Sequence, residues 1–448
     1  MTARVPAAVQ VRRPIVRLAA IGAALTLLTA LGPTLHLAWG GWALMIIFAL
    51  GGAGSLVASQ TEGGGTDRRG ALVTILVGAV LMRLTLLFVE PYLSTDIYRY
   101  VWDGRVQAAG INPYRYVPAA AEVAHLRDAA IFPNINRADY AVTIYPPTAQ
   151  AIFLAVTRLG ESVVAMKLGL LAFEAATVAA LLALLSRLGS PATRIAAYAW
   201  HPLPVWEIAG SGHVDVAMCA LLMAGLLLSL HGRTLLAGVL VTLGALVKPT
   251  ALLALPVFWR PWNWRLPLVV MLTALLAYVP YLSVGSDVSG FLWGYVEEEG
   301  LASGRGFNAL WLMERFTGPV PGAVRVYVVV AAVIMIALAI AVALRRDRSA
   351  PTTVACLNWL LVVFLVLVSP HYPWYFLVLV PLLAVHPSAT AWVLTLACPI
   401  LYDSVDGAGW PGYDARIAAF MLATVAALAH DAWSMRRRSL NPAAGVTA

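Results

Sequence analysis

The run ALVTILVGAVLMRLTLLFVEPYLSTDIYRYVWDGRVQAAGINPY (71–114) decides how this chain is read. From 71 to 90 it is almost wholly apolar and long enough for one membrane-spanning helix. Within a few residues it becomes a stretch that sets Asp96, Arg99, Asp103 and Arg105 among Tyr98, Tyr100, Trp102 and Tyr114. The first part predicts a bilayer crossing. The second predicts a polar, aromatic knot at its edge, where chemistry is expected.

Outward from this stretch the composition agrees. Of 448 residues, 61% are hydrophobic and 12% charged, against about 25% charged in a soluble domain. Apolar runs of spanning length recur without the strict alternation of a β-barrel, so the fold class is an all-α polytopic membrane protein, one domain over 1–448. The net charge of +8 does not point to nucleic acid. Arg12, Arg13, Arg17, Arg68, Arg69, Arg345, Arg346, Arg348 and Arg436 to Arg438 flank apolar spans, as the positive-inside rule requires. Cys219, Cys356 and Cys398 lie inside apolar runs without ligand spacing and read as core residues. No small-residue cleavage site follows the first apolar run, which reads as a retained helix.

Charge sets the topology. Spans near 16–35 and 38–59 lead to the basic loop TEGGGTDRRG (61–70), placed inside, so 71–90 crosses outward. Residues 91–142 then form a large extracytoplasmic loop, with AAEVAHLRDAAIF (120–132) expected as an amphipathic helix on the membrane face. A loop of this length in a compact protein points to function. Residues 146–159 are too short to span and read as re-entrant. Crossings follow at 162–186, 195–209 and 216–231. The stretch 234–258 is read as two half-helices broken at Lys248-Pro249, because that keeps the later basic loops inside. Spans near 266–284, 322–344, 351–369, 374–386, 388–402 and 413–432 bring the bundle to about twelve crossings, both termini inside. No internal repeat is evident. The first loop, GSGHVD (210–215), a second loop over 285–320, HYPWY (371–375) and YDSVDGAGWPGYD (402–414) then share the outer side.

The candidates sit there. Asp96 is the foremost: a carboxylate at a membrane edge beside Tyr98 and Arg99 suits a general base, and the competing reading is a cap for a helix starting at Ile97. Asp103, in W-D-G, reads more as a turn and an arginine partner than as a second base. Arg99 and Arg105 share roughly one helix face, to clamp a phosphate or to pair with Asp96 and Asp103. Tyr145, in Y-P-P, reads as turn architecture, from which Gln150 would reach a sugar. Glu207, His213 and Asp215 flank a Gly-Ser-Gly break and suggest a polar pocket. His-x-Asp without a third ligand leaves a divalent metal disfavoured. Lys248, inside an apolar stretch, calls for a counter-charge: a lipid phosphate, or Glu174, unless it snorkels to the interface. His371 is a further phosphate-side candidate, and Glu297 to Glu299 read as a solvated face.

D-I-Y-R-Y-V-W-D-G-R with G-I-N-P-Y (96–114), Y-P-P-T-A-Q (145–150) and G-S-G-H-V-D (210–215) resemble bacterial polyprenol-phosphate-mannose-dependent mannosyltransferases of the GT-C superfamily. The resemblance covers roughly 70–250, with K-P-T-A-L-L-A-L-P and H-Y-P-W-Y continuing it in hydropathy. Relatives more often carry G-H-N-D where Val214 stands here. The resemblance implies a GT-C-like bundle in the inner (plasma) membrane, its site facing outward. It implies an acidic base at Asp96, a polyprenyl-phosphate sugar donor, most often mannose, a glycolipid or lipoglycan acceptor, and inverting transfer without a resident cofactor. Binding roles would fall to Tyr98, Arg99, Asp103, Arg105, Tyr145, Gln150, Glu207, His213, Asp215, Lys248 and His371. A lipid-borne donor accords with the lack of a Gly-rich nucleotide-phosphate loop. The alternative is a secondary transporter or lipid flippase, suggested by the broken helix at Lys248.

Overall fold

The computed structural model describes residues 7–61, 67–261, 263–402 and 409–440. Residues 62–66 of the first basic loop and residues 403–408 of YDSVDGAGWPGYD lie outside them. All described secondary structure is helical. Among the described residues, eight helices are long and apolar enough to cross a bilayer: Pro14–Trp39, Gly41–Ser59, Arg68–Leu87, Val163–Arg187, Arg265–Ser289, Ala323–Leu344, Ala350–Val368 and Tyr413–Arg437. The other apolar stretches are shorter or interrupted. The chain is a polytopic helical membrane protein.

Helix α1 (Ala7–Trp39) packs on both α2 (Gly41–Ser59) and α3 (Asp67–Leu87). Helix α3 stops short of Glu90-Pro91, where proline supplies no N–H. Its last carbonyls are taken by a cation: Lys167 Nζ donates to Leu86 O at 3.2 Å and Val89 O at 2.6 Å. Lys167 lies in α6 (Val163–Arg187), which the Ser162 hydroxyl caps by accepting from Ala165 N at 3.1 Å. A turn deeper, Arg83 of α3 meets Glu174 of α6 through two hydrogen bonds of 2.6 and 3.2 Å, both side chains buried. Glu174 is therefore not the counter-ion of Lys248. Arg83 also donates to Ala199 O, joining α3 and α6 to the next segment.

Between α3 and α6 lie α4 (Asp96–Ala108) and α5 (Pro147–Thr157), packed side by side. At 11 residues, α5 is too short to span. Tyr100 of α4 stacks on Phe153 of α5, ring centroids 4.5 Å apart. A Cβ at Gly104 would lie 2.1 Å from Thr157 Oγ1 and 2.5 Å from Phe153 O, so only glycine permits this approach. Gly104→Ala is expected to force the two helices apart at a cost of about 1–3 kcal/mol, read as a lowered melting temperature in detergent. The W-D-G sequence is thus helical, not a turn. The expected amphipathic helix over 120–132 is also absent: single 3₁₀ turns occupy Ala121–Leu126 and Phe132–Asn134. Asp128 Oδ1 accepts from the backbone of Ala130 and Ile131, and Arg127 donates to Pro118 O and Ala120 O. Such side-chain bonds satisfy the backbone locally and compete with a helix.

Residues 192–210 are not one helix. They run as a 3₁₀ turn, α7 (Ala196–Ala199), α8 (Pro202–Pro204) and a π-helical turn Val205–Gly210, nearly all buried. Pro202 and Pro204 remove donors that a regular helix needs. Helix α9 (Asp215–Leu230) packs on α6 and on α10 (Thr234–Ala245). The chain then doubles back. Leu246 O accepts from Thr148 N and Ala149 N at the start of α5, at 3.1 and 3.2 Å. A 3₁₀ turn from Pro249 and α11 (Leu255–Phe258) return to the end where Arg345 and Arg348 bond Val257 O and Trp259 O.

Helix α12 (Arg265–Tyr278) continues as 3₁₀ turns to Ser289, followed by α13 (Leu292–Glu298) and α14 (Asn308–Thr317). This segment leans on the first loop: Asn112 Nδ2 donates to Tyr281 O and Phe291 N donates to Thr143 O. Gly290, at φ +58°, makes the contact close, since a Cβ there would lie 2.0 Å from Thr143 O. The bundle is completed by α15 (Ala323–Leu344), α16 (Ala350–Val368), α17 (Val380–Val385), α18 (Ala389–Ala397) and α19 (Tyr413–Leu440). Asp431 of α19 caps α18, accepting from Ala389 N, Thr390 N and Thr390 Oγ1.

Candidate active site

Asp96 opens α4, and its carboxylate does not cap that helix. One oxygen accepts from Asn136 Nδ2 at 2.8 Å and the other from the Tyr145 hydroxyl at 3.2 Å. The residue is half-buried. Held by two neutral donors in the first turn of a helix, it is oriented without being neutralised by a bonded cation. The Tyr145 hydroxyl also lies 3.4 Å from that of Tyr100, and its carbonyl accepts from Tyr114 at 2.6 Å. Tyr145 therefore touches the carboxylate itself and is more than turn architecture.

Lys248 comes to the same place. Its ammonium lies 5.9 Å from the Tyr145 ring centroid, 4.7 Å from that of Tyr375 and 3.7 Å from Asp215 Oδ2. Helix α10 ends at Ala245, and Lys248 reaches from the break before Pro249 to the first turn of α9, where Asp215 sits. Tyr375 Oη is 2.5 Å from Tyr295 Oη of α13. Beside them, His371 Nδ1 is 3.5 Å from Glu299 Oε2. The Glu297–Glu299 run is thus not simply a solvated face, since Glu299 pairs with His371 and Glu298 takes Arg137 at 2.6 Å and Tyr140 at 2.9 Å.

A second group adjoins. The π-helical turn turns Glu207 inward, where it accepts from the Tyr402 hydroxyl and stands 3.3 Å from His213 Nε2. His213 stacks on Trp374 with centroids 4.1 Å apart, and Trp374 stacks on Tyr372 at 4.5 Å. Gly212, at φ +76°, supplies the reversal between them. Burial lowers the His213 imidazole to about 3, so its ring is neutral and offers a hydrogen bond rather than a charge. Both ring nitrogens, Glu207 Oε2 and Asp215 Oδ2 are buried without a hydrogen-bond partner in the protein. Such unsatisfied atoms mark where a polar ligand or ordered water belongs. Among the described residues no group of three or more His, Cys, Asp or Glu side chains is arranged to hold a metal ion.

The remaining candidates lie apart from this cluster. Asp103 is buried, its carboxylate accepting from Gln150 Nε2 at 2.9 Å. Gln150 is itself fully buried between Asp103, Thr143 and Gln107. Gln107 accepts from the Tyr281 hydroxyl at 3.0 Å, which makes this network the joint between the first loop and the 3₁₀ turns after α12. Arg99 donates to Ala141 O at 2.7 Å beside it. Arg105 spends its guanidinium on Glu161, Asp128 and Leu126 O, fastening the loop's rim. Tyr98 donates to Glu90 at 3.3 Å. Sequence reasoning named none of Asn136, Arg137, Trp374, Tyr375 and Tyr402 singly. Of these, Trp374 and Tyr375 carried a signal as members of the H-Y-P-W-Y motif, and Tyr402 as the first residue of YDSVDGAGWPGYD.

Burial raises the Asp103 carboxyl against the opposing pull of Arg99 and of hydrogen bonds from Thr143 and Gln150. A carboxyl raised in the folded state favours folding while protonated, and that contribution fades as pH climbs from the unfolded value through the folded one. Asp103→Asn is neutral throughout. It is expected to melt above the native protein at neutral pH, and the two melting curves should converge as pH falls into the ordinary carboxylate range. A variant melting lower at every pH would contradict this.

A family model described as "Alpha-(1->6)-mannopyranosyltransferase, N-terminal domain" matches residues 1–277. That region contains Asp96, Tyr145, the Glu207–Asp215 block and Lys248. Alpha-(1->6)-mannopyranosyltransferase A of Mycobacterium tuberculosis is 27% identical over 400 residues, covering 81% of this chain and 70% of the relative. No solved structure matches. On the model match over more than half its length, the chain belongs to the alpha-(1->6)-mannopyranosyltransferase family.

Proposed function

We propose that this alpha-mannosyltransferase moves mannose from a polyprenyl-phosphate donor to a hydroxyl of an envelope glycolipid or lipoglycan, on the extracytoplasmic side of the plasma membrane, with inversion. The observation that carries the reading is the Asp96 carboxylate, oriented by Asn136 and Tyr145 and sharing one cluster with the Lys248 ammonium. A base and a cation at one bundle end match the two demands of glycosyl transfer. Asp96 takes the acceptor's proton as its oxygen bonds to the anomeric carbon. The bond from that carbon to the donor phosphate breaks, and its electron pair leaves with the polyprenyl phosphate, whose charge Lys248 offsets and to which His371 offers a hydrogen bond. Neutral His213 and Glu207, with unfilled hydrogen-bonding capacity, line the sugar's side. This chemistry calls on no resident metal.

The transporter reading rested on Lys248 in a broken helix. The family is one of transferases, and Lys248 stands beside Asp215. The test supplies purified protein with polyprenyl-phosphate mannose or with nucleotide-linked mannose and a glycolipid acceptor, products read by mass spectrometry. Product from the lipid-linked donor alone is expected. Product from the nucleotide sugar alone would overturn the donor assignment, and substrate flux in proteoliposomes without covalent product would favour a transporter.

A further inference from the structure

At the other end of the Lys248 hairpin, where α11, α15 and α16 meet, guanidiniums converge without counter-ions. Arg345 donates to Val342 O at 2.8 Å, Val257 O at 3.0 Å and Thr353 Oγ1 at 3.1 Å. Arg348 donates to Trp259 O at 3.1 Å and Ala343 O at 2.5 Å. Both side chains are half-buried, and Arg345 Nε is buried without a partner. Arg260 is near enough for its charge to bear on Arg348, and Arg346 is exposed alongside. Among the described residues, none of these four arginines has a carboxylate within ion-pair distance. The adjacent Asp347 hydrogen-bonds Ser349 and Thr352, and its charge bears on Arg345 without an ion pair, one carboxylate against four guanidiniums.

Orientation of the helices explains why basic residues lie at this end. It does not explain why two guanidiniums are drawn into one junction and fixed by carbonyls beside a third, with the charge of Asp347 alone set against them. Partly desolvated like charges need an anion. The neighbouring surfaces say which kind. Ala323–Leu344 and Arg265–Ser289 are only 11% and 6% buried along their apolar windows, so they present hydrocarbon-facing walls. Trp264, 68% exposed, stands at the level where headgroups meet chains.

We propose that this junction is a binding site for the phosphate of an anionic phospholipid, its acyl chains lying along α12 and α15. The site is separate from the Asp96 cluster and does not depend on the proposed donor. Its test uses delipidated protein in neutral detergent, titrated with phosphatidylglycerol, phosphatidylcholine or inorganic phosphate, with melting temperature as the readout. Phosphatidylglycerol should give a saturable rise that the other two do not. Arg345→Gln with Arg348→Gln should raise the half-saturating lipid concentration about fivefold for each charge removed. Should that pair fail to fold, Arg260→Gln with Arg346→Gln, both exposed, serves under the same criterion. Equal responses of native protein and variant, or equal responses to phosphatidylcholine, would overturn the proposal. A response matched by inorganic phosphate would overturn its assignment to a lipid.

Discussion

Asp96→Asn is expected to lower turnover by about 10²–10⁴-fold, the range typical of a positioned general base, with little change in melting temperature. The substitution keeps the shape of the side chain and at least one of its contacts to Asn136 and Tyr145, while removing the basic oxygen. Product formation from polyprenyl-phosphate mannose should fall through kcat more than through KM, because the proton moves only as the acceptor attacks. Tyr145→Phe tests the same geometry more gently, since it deletes one of the two donors that aim the carboxylate and leaves the carboxylate itself. Full turnover in Asp96→Asn would remove Asp96 as the base. The joint of the two loops would then have to be searched for another.

Lys248→Met should have the largest effect on stability. It leaves Asp215, 2% exposed, as a buried carboxylate without its cation. Breaking a buried pair from one side costs about 3–5 kcal/mol. Adding Asp215→Asn removes the stranded charge and should recover most of that loss. Turnover should stay low in the double variant, because the cation offered to the departing phosphate is still missing. That split separates a pair kept for folding from a lysine kept for chemistry. A double variant that recovers both stability and turnover would rule out the phosphate role.

The elements that sequence located well are those governed by composition over one helical length. The spans near 38–59, 71–90, 162–186 and 351–369 correspond to α2, α3, α6 and α16, because an apolar run of spanning length has one stable form in hydrocarbon. The doubling back at Lys248-Pro249 was also legible, because proline and charge parity speak together. The stretch 195–209 was not, because hydropathy cannot see that two closely spaced prolines turn an apolar run into broken turns. The W-D-G sequence misled for the opposite reason. Its glycine looks like a turn residue locally, yet it is required by the contact of α4 with Phe153 and Thr157.

The sequence by itself determined that this is a helical membrane protein, where its polar segments lie, and that Asp96 heads the candidates. These depend on chain-local quantities: apolar length, charge at span ends and a motif of contiguous residues. Only the tertiary structure decided which polar residues meet. It took Gln150 and Asp103 into the joint between loops and Arg105 to the rim. It gave Glu174 to Arg83 and Asp215 to Lys248, and it brought Asn136, Tyr375 and Trp374 into the cluster. Buried polar groups need partners, and those partners lie far apart in the chain: 40 residues separate Asp96 from Asn136, and 195 separate Glu207 from Tyr402. No local pattern encodes a pairing that forms only when the helices pack.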